Sequence, residues 1–368
     1  MTDRKTRLGI LFGGRSGEHD ISLISTASVI AALNPDEYEI IVIGITREGR
    51  LADEKTLRGM LPENLLARVR LSPAIEAVDC GMKVLPDSMG IGNESSVMPE
   101  IIFPLMHGPY GEDGTVQGLF EIADIPYIGC GVTASAVGMD KDIVKRLWAQ
   151  AGLPVTPWLA VRTKDAAGNL AEIRRAAEEQ FGYPMFSKPA NLGSSVGVRK
   201  IRNETEFDDA VRDSMQYDRK ILIEKGIDAR EIECAILGND EPEASVTGEV
   251  LSAGEFYDYE DKYINQKSRT KIPADIDNVK SEEIRKLAIK AFQLIDGSGL
   301  SRVDFFLERG SGKIWINEIN TMPGFTPISM YAGLWAASGV PFSELIRRLI
   351  RLGKERFQEK SVRKISRN

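Results

Sequence analysis

At 368 residues the chain is too long for one small core, and ~100–200 residues per domain predicts two or three domains. With 42% hydrophobic and 27% charged residues it excludes wholesale disorder, and its longest apolar runs, such as 40–45, fall far short of the ~20 residues of a membrane-spanning helix. A net charge of −7 speaks against a general nucleic-acid surface; the nine basic and two acidic residues within 347–368 read as a solvated helix end.

In chain order, basic residues precede Leu8-Gly9-Ile10-Leu11-Phe12 as a signal peptide's do, but Arg15, Glu18 and Asp20 follow without a small-residue cleavage site, so a first buried strand is expected. Apolar runs at 8–12, 39–45, 101–105 and 126–129 alternate with helical stretches, the pattern of a doubly wound parallel α/β sheet. A helix is predicted from Asp140 to Ala151, capped by Asp140, with Ile143, Val144, Leu147 and Ala151 on its apolar face and Gly152 and Pro154 as its stop. Residues 183–223 read as strand, Gly/Ser loop, strand, helix and strand. A second helix is predicted from Ser281 to Ile295, with Glu282 and Glu283 at its positive end and an Ile284/Leu287/Ala288/Ala291/Ile295 stripe. Two antiparallel strands within 301–319 meet at Gly310-Ser311-Gly312. Linker-like composition is confined to 86–96 and to 258–271, the latter long enough for a lid. Cys80, Cys130 and Cys234 show no C-x-x-C spacing, so neither a disulfide framework nor a zinc knuckle fits, and a reducing cytoplasm is the expected setting.

Several segments carry candidate chemistry. In Lys188-Pro-Ala-Asn-Leu-Gly193-Ser194-Ser195-Val-Gly197 a strand-borne lysine precedes a small, hydroxyl-rich turn, so backbone N–H groups and hydroxyls can surround phosphate oxygens beside a fixed cation. This is not a Walker A loop, whose lysine follows the glycines; an ordinary hairpin turn is the structural alternative. In Arg302-Val-Asp304 and Asn317-Glu318-Ile319-Asn320, a three-residue loop at 310–312 sets Asp304 opposite Glu318 with Asn320 on the same face, three hard oxygen ligands suited to Mg²⁺. A polar solvent face of an amphipathic hairpin is the alternative. Gly13-Gly14-Arg15-Ser16-Gly17-Glu18 follows the first strand and opens a helix near Asp20, a place for an anion on the helix N-terminus or an ammonium on Glu18, or a plain strand-to-helix turn. His107, in a Gly-rich loop after a strand, serves proton transfer or braces its loop. Gly129-Cys130-Gly131-Val132-Thr133-Ala134 matches the dinucleotide fingerprint but lacks the acidic residue about 20 positions on, so an NAD-dependent dehydrogenase is the rival reading from another class. Neither H-E-x-x-H nor G-x-S-x-G occurs, against zinc hydrolysis and acyl-serine catalysis.

Together these residues resemble the D-alanine–D-alanine ligases of the ATP-grasp superfamily. The resemblance runs through Gly13-Gly14-x-Ser16-x-Glu18, His107-Gly-x-x-Gly-Glu-Asp-Gly, Met139-Asp140-Lys141, the Lys188 loop, Asp258-Tyr-Glu-Asp-Lys262-Tyr263, Arg302-Val-Asp304 and Asn317-Glu318-Ile-Asn320-Thr-Met-Pro-Gly324-Phe-Thr, over about residues 8 to 350. Ser187 departs from it, standing where an aliphatic residue is more usual, and the tail after about 352 matches nothing in the family. The resemblance implies an α/β ATP-grasp fold of three α/β domains: a doubly wound parallel N-terminal domain (1–129) that binds substrate, and central (130–228) and C-terminal (229–368) antiparallel-sheet domains that clamp ATP. It implies phosphate binding by Lys141, Lys188, Ser194 and Ser195, with Lys262 on the γ-phosphate. Glu224, Lys225 and Ile227 would line the adenine pocket, with Phe306 as its floor and Glu231 on the ribose. Asp304, Glu318 and Asn320 would hold two Mg²⁺, with Mn²⁺ as a substitute. Glu18 and His107 would serve the first D-alanine, and Ser329 and Met330 the second. Ser194 and Tyr263 would tie Glu18 to the lid, and Arg302 with the Gly324 N–H would stabilise the tetrahedral oxyanion. The implied protein is a cytoplasmic homodimer acting on D-alanine and ATP, with neither nucleic acid nor membrane as partner; sister enzymes joining D-alanine to D-serine or D-lactate share the ATP machinery.

Overall fold

The computed structural model describes residues 4–71, 99–166, 168–251 and 269–363. The N-terminal part runs β1 (Thr6–Gly13), α1 (His19–Ala32), β2 (Tyr38–Ile45), α2 (Glu54–Met60), α3 (Glu63–Leu66), β3 (Val69–Leu71), β4 (Ile101–Leu105) and α4 (Thr115–Ile122). Its strands form a sheet of order β3-β2-β1-β4, parallel throughout. Both faces are covered, as a doubly wound sheet requires. Leu8, Ile10 and Phe12 of β1 point into one core and Leu11 into another, against Val116 and Phe120 of α4. The expected strand at 126–129 is reduced to one parallel bridge between Ile102 and Tyr127. The Gly129 backbone turns to φ 104° immediately after it and leaves the ladder.

Two helices follow, α5 (Val132–Met139) and α6 (Lys141–Gln150). Asp140 caps α6 as predicted, accepting from the N–H groups of Asp142 and Ile143. Of the predicted apolar face, Val144, Leu147 and Ala151 pack on the core, but Ile143 is 44% exposed, and Lys141, Asp142, Lys145 and Trp148 are buried as well. The helix lies between two sheets, and its inward face meets charged partners that a hydrophobic periodicity does not register.

The central sheet is antiparallel, of order β5-β8-β6-β7, from β5 (Trp158–Arg162), β6 (Met185–Pro189), β7 (Arg199–Ile201) and β8 (Lys220–Lys225). It is covered by α7 (Thr163–Ala166), α8 (Leu170–Phe181) and α9 (Glu204–Ser214), with its own core around Phe207, Val211 and Ile223. The third sheet, β11-β10-β9-β12-β13, is also antiparallel: β9 (Ala229–Gly238), β10 (Glu243–Leu251), β11 (Arg269–Lys271), β12 (Gly299–Glu308) and β13 (Ile314–Asn320). Between β11 and β12 lies α10 (Asn278–Leu294), which begins three residues earlier than predicted because Asp277 caps it through the Lys280 N–H. Glu282 and Glu283 therefore stand one turn inside the helix. The chain ends on α11 (Met330–Ala337) and the amphipathic α12 (Phe342–Ser361), whose Leu345, Ile346, Leu349 and Ile350 are buried. The linker at 86–96 and most of the 258–271 stretch, with Lys262, Tyr263 and Cys80, lie outside the described residues; Cys130 and Cys234 are buried free thiols.

Candidate active site

The central and C-terminal sheets face one another across a cavity of about 500 Å³. Strand β6 brings Lys188 to it, α6 brings Lys141, and the Gly/Ser loop brings Ser194 and Ser195. From β8 and the turn after it come Glu224, Lys225 and Ile227, and from β9 comes Glu231. Strand β12 alternates strictly, burying Ser301, Val303, Phe305 and Leu307, so Asp304 and Phe306 fall on the cavity side, where Glu318 of β13 joins them.

The lysines are held by specific partners. Lys141 Nζ donates to the Leu192 carbonyl at 2.7 Å and stands 3.4 Å from Glu318 Oε2. Lys188 Nζ lies 2.8 Å from Glu224 Oε2 and donates to Asn317 Oδ1 at 3.3 Å. The other Glu224 oxygen is 2.9 Å from Lys145 Nζ. Burial pushes the Glu224 carboxyl upward, but the two lysines outweigh it and hold the group below its ordinary range. Burial lowers the Lys145 ammonium to about 8 despite Glu224. Sequence reasoning missed Lys145, since one lysine on a helix carries no spacing signal, and missed Asn317 for the reason given below.

The Gly/Ser loop is strained where it meets the cavity. Ser194 and Ser195 both adopt left-handed backbone, φ 52° and 59°, a conformation that costs non-glycine residues of order 1–3 kcal/mol and gathers at ligand clamps. A Cβ at Gly197 (φ 72°) would come within 2.6 Å of the Tyr217 ring, so no other residue fits. The unusual Ser187 has a local purpose: its hydroxyl donates to Ser214 at 2.9 Å, and Ser214 donates to the Gly197 carbonyl at 2.7 Å, tying the loop's far end to β6 and α9. Ser194 Oγ donates to Glu18 Oε1 at 2.5 Å and so connects this loop to the N-terminal part.

The β12–β13 pairing puts Asp304 opposite Glu318 and Arg302 opposite Asn320, as expected, but not through a three-residue loop alone. Near the turn Leu307 pairs with Ile314, one residue out of step, and a bulge at Asn317 restores the register. The bulge lets Asn317 and Glu318 both face the cavity, which strict alternation forbids. Arg302 forks onto Asp304, donating from Nε to Oδ1 and from Nη2 to Oδ2, both at 2.7 Å, and its Nε is 2.9 Å from Glu233 Oε2. Burial opposes its charge, yet Asp304 and Glu233 hold the guanidinium well above its ordinary range. Glu233, not singled out from the sequence, is the β9 partner of Asp304, so three carboxylates cross three adjacent strands in one row. Such a row is repulsive unless cations sit in it, and Asn320 Nδ2 donates to Asp304 Oδ2 at 3.0 Å beside it. Asp304 and Glu318 line the open cavity on rigid strands with the Asn320 amide beside Asp304, and this set fits the hard-oxygen preference of Mg²⁺.

On the N-terminal side the Gly-rich turn packs Glu18 toward Gly108 and Gly193; a Cβ on Gly108 would stand 2.7 Å from Glu18 Oε2. Both His107 ring nitrogens are engaged, Nδ1 with the Met322 carbonyl at 3.0 Å and Nε2 with Ser25 Oγ at 3.2 Å. Nδ1 must then carry the proton and Nε2 accept, and burial keeps the ring below its usual range although Glu18 pulls it up. His107 thus braces the 321–325 turn behind the cavity. Glu112, also unread in the sequence, accepts from the Gly108 N–H at 2.7 Å, and burial with the nearby Glu18 charge raises it to about 8. Gly324 borders open space. Ser329 precedes α11 and donates from Oγ to the Thr326 carbonyl at 2.7 Å. The Met330 side chain is buried against the β10 backbone at Gly248, which leaves its main chain at the start of α11 for a ligand. The Gly129–Ala134 turn opens α5 without a strand before it, so the dinucleotide βαβ unit is absent among the described residues.

Comparison with known proteins agrees with this geometry. The family profile described as D-ala D-ala ligase N-terminus matches residues 7–130, and that described as D-ala D-ala ligase C-terminus matches residues 147–351. The D-alanine–D-alanine ligase of Geobacillus kaustophilus is 48% identical over 97% of both chains, and that of Acetivibrio thermocellus 44% identical over 98% of both. Among solved structures, the D-alanine-D-alanine ligase from Coxiella burnetii superposes with TM-score 0.78 at 34% identity, covering 97% of this chain and 96% of the other. The VanG D-Ala:D-Ser ligase from Enterococcus faecalis gives 0.79 at 32%, covering 95% and 100%. A parallel N-terminal sheet, two facing antiparallel sheets, and 44–48% identity to these ligases over nearly the whole length establish that the chain belongs to the D-alanine–D-alanine ligase family.

Proposed function

We propose that this protein joins two D-alanine molecules at the expense of ATP, supplying D-alanyl-D-alanine for peptidoglycan precursors. One observation carries the reading: a single cavity joins the lysines and the acidic β12–β13 row, and its Gly/Ser loop reaches Glu18 through Ser194. Lys141, Lys188, Ser194 and Ser195 bind the phosphates, with Lys262 from the undescribed segment. Glu224, Lys225, Ile227, Glu231 and Phe306 hold the nucleoside. Asp304, Glu318 and Asn320 hold two Mg²⁺, or Mn²⁺ in their place, which supply charge neutralisation around the transferring phosphoryl group.

Glu18, with His107 bracing the wall behind it, takes the first D-alanine's ammonium and aims its carboxylate at the γ-phosphorus. Attack there breaks the bond to the ADP oxygen and gives D-alanyl phosphate. The neutral amine of the second D-alanine, placed by Ser329 and the Met330 main chain, then attacks the acyl carbon; the C–N bond forms, the bond to the phosphate oxygen breaks, and the proton lost by the nitrogen leaves with the phosphate. Arg302 and the Gly324 N–H stabilise the oxyanion of that step, which asks for donors fixed where charge develops. Tyr263, outside the described residues, takes from the family resemblance the role of a partner to Glu18 and Ser194. A cytoplasmic homodimer belongs to the same reading, supported by cysteine usage and by the family resemblance.

The test is ADP release and product chromatography with D-alanine, D-serine, D-lactate and L-alanine supplied separately. D-alanine alone should yield dipeptide. The similarity to the VanG enzyme favours a second reading, D-serine as acceptor, and a mixed dipeptide made in preference to D-alanyl-D-alanine when both amino acids are present would establish it instead.

A further inference from the structure

Lys145 is a charged group beside the nucleotide cavity to which the chemistry above gives no task. It lies one turn beyond Lys141 on α6, with its side chain wholly buried. Its ammonium stands 2.9 Å from Glu224 Oε1, 3.4 Å from the Thr156 carbonyl and 5.9 Å from the centre of the Trp158 ring. Glu224 is itself buried, and its second oxygen is 2.8 Å from Lys188 Nζ. Three elements, α6, β8 and β6, thus converge on one buried carboxylate shared by two ammonium groups.

A lysine without water is expensive to keep, and an apolar side chain would cost the fold less. Packing alone therefore gives no reason for a cation here, whereas the charge balance does. Without Lys145, Glu224 and Lys188 would form a closed neutral pair, with the Lys188 ammonium drawn onto the carboxylate. With it, the trio carries one net positive charge, two lysines against one glutamate, and the Lys188 charge is only partly spent. Lys188 lines the cavity and Lys145 does not, so the surplus charge is presented to the ligand by Lys188.

We propose that Lys145 is a positioning residue for the nucleotide's polyphosphate, acting through Glu224 to keep Lys188 available to phosphate oxygens. The proposal rests on the reading of this cavity as the ATP site and adds to it a residue that touches no ligand.

The experiment is calorimetric binding of ADP with Mg²⁺, and of adenosine, to the full chain and to Lys145→Met, Glu224→Gln, Lys188→Met and the Lys145→Met/Glu224→Gln pair. Lys145→Met should weaken ADP about tenfold, a charge effect in a poorly screened site. The same change made in Glu224→Gln should cost less than twofold, because no carboxylate remains to recapture Lys188. Adenosine, lacking phosphate, should change less than twofold with Lys145→Met. Equal losses in both backgrounds, or adenosine weakened as much as ADP, would mean that Lys145 only packs, and would overturn the proposal. If Lys145→Met is not recovered folded, Glu224→Gln against the double variant decides, a loss above twofold counting against it. Unchanged ADP binding by Lys188→Met would instead reject the nucleotide reading of the cavity itself.

Discussion

Arg302 is held from two sides, and the two holds are unequal. Asp304 forks onto it at 2.7 Å through both oxygens, while Glu233 meets Nε alone at 2.9 Å. Asp304 is also proposed as a metal ligand, so in the working enzyme its lone pairs are contested and Glu233 is left to fix the guanidinium against the oxyanion. Glu233→Gln keeps the shape and removes the charge. Charge-assisted hydrogen bonds contribute about 1.5–3 kcal/mol, so kcat should fall at least about tenfold while KM for ATP stays within twofold; steady-state kinetics with ATP varied at saturating D-alanine decides it. A variant that raises KM for ATP and spares kcat would place Glu233 on the nucleotide instead. Glu112 makes a pH-dependent prediction. An ordinary glutamate titrates near 4.5 and this one near 8, so between those values the folded chain binds more protons than the unfolded one. The stability it contributes is full below about 4.5 and is lost as the pH rises through about 8. The Glu18 charge raises the Glu112 carboxyl further, and the Arg302 charge opposes this. Glu112→Gln mimics the protonated form and should melt higher than the parent at pH 8.5, by ~2 °C or more, yet match it at pH 4; melting curves at the two values check this, and a constant difference would mean that Glu112 does not titrate in this range.

Elements that announce themselves by periodicity are the ones the sequence makes legible: β1, β2 and β4 as apolar runs, and β12–β13 as an alternating hairpin. What it hides are features in which two elements negotiate. The Asn317 bulge is one, since the pairing of Asp304 with Glu318 follows from a regular ladder with a short loop or from a longer loop plus a bulge, and only the folded hairpin distinguishes them. The buried face of α6 is another, because Lys145 is inside only by virtue of a glutamate about 80 residues away on β8. The cap of α6 was legible, and it bears weight: Asp140 also pairs with Lys220 at 2.7 Å at the start of β8, so one carboxylate fixes both the helix start and the strand that carries Glu224. Asp140→Ala should cost ~1 kcal/mol from the cap alone and, by fraying the turn that bears Lys141, should weaken ADP binding severalfold. Calorimetry and a melting curve read both. Lower stability with intact ADP affinity would show that Lys141 is placed by its bond to Leu192 and not by the helix start.

At the scale of the molecule, the three sheets are not equally joined. The N-terminal and C-terminal parts share one continuous apolar core, in which Leu8, Ile10 and Phe103 pack with Leu237, Leu300, Phe325 and Trp335 and with α12. Phe103 meets Phe325 edge to face at 5.2 Å, and His107 bonds across the same seam to Met322. Residues 130–155 bury their apolar side chains with the five-stranded sheet. The β5–β8 sheet has a core of its own, although Trp158 of β5 also packs against the neighbouring one. It meets the rest largely through hydrogen bonds and ion pairs: Thr156 with Ile316, Lys188 with Asn317, the Lys141 N–H with the Ala190 carbonyl, and Ser194 with Glu18. Polar contacts exchange with water at little net cost, about 0.5–1.5 kcal/mol each, whereas a shared apolar core opens only by exposing it. The central sheet should therefore move as a unit against a rigid remainder, and nucleotide in the cavity should supply the contacts that hold it. Hydrogen exchange with and without ADP and Mg²⁺ tests this directly. Amides of 185–201 and 220–228 should slow at least about tenfold on binding, while those of β1, β2 and β4 change less than twofold, since local openings at mobile sites respond first to a ligand that binds only the closed form. Protection spread evenly over all three sheets would mean that the molecule opens as one body, and the separation of cores would then have no dynamic consequence.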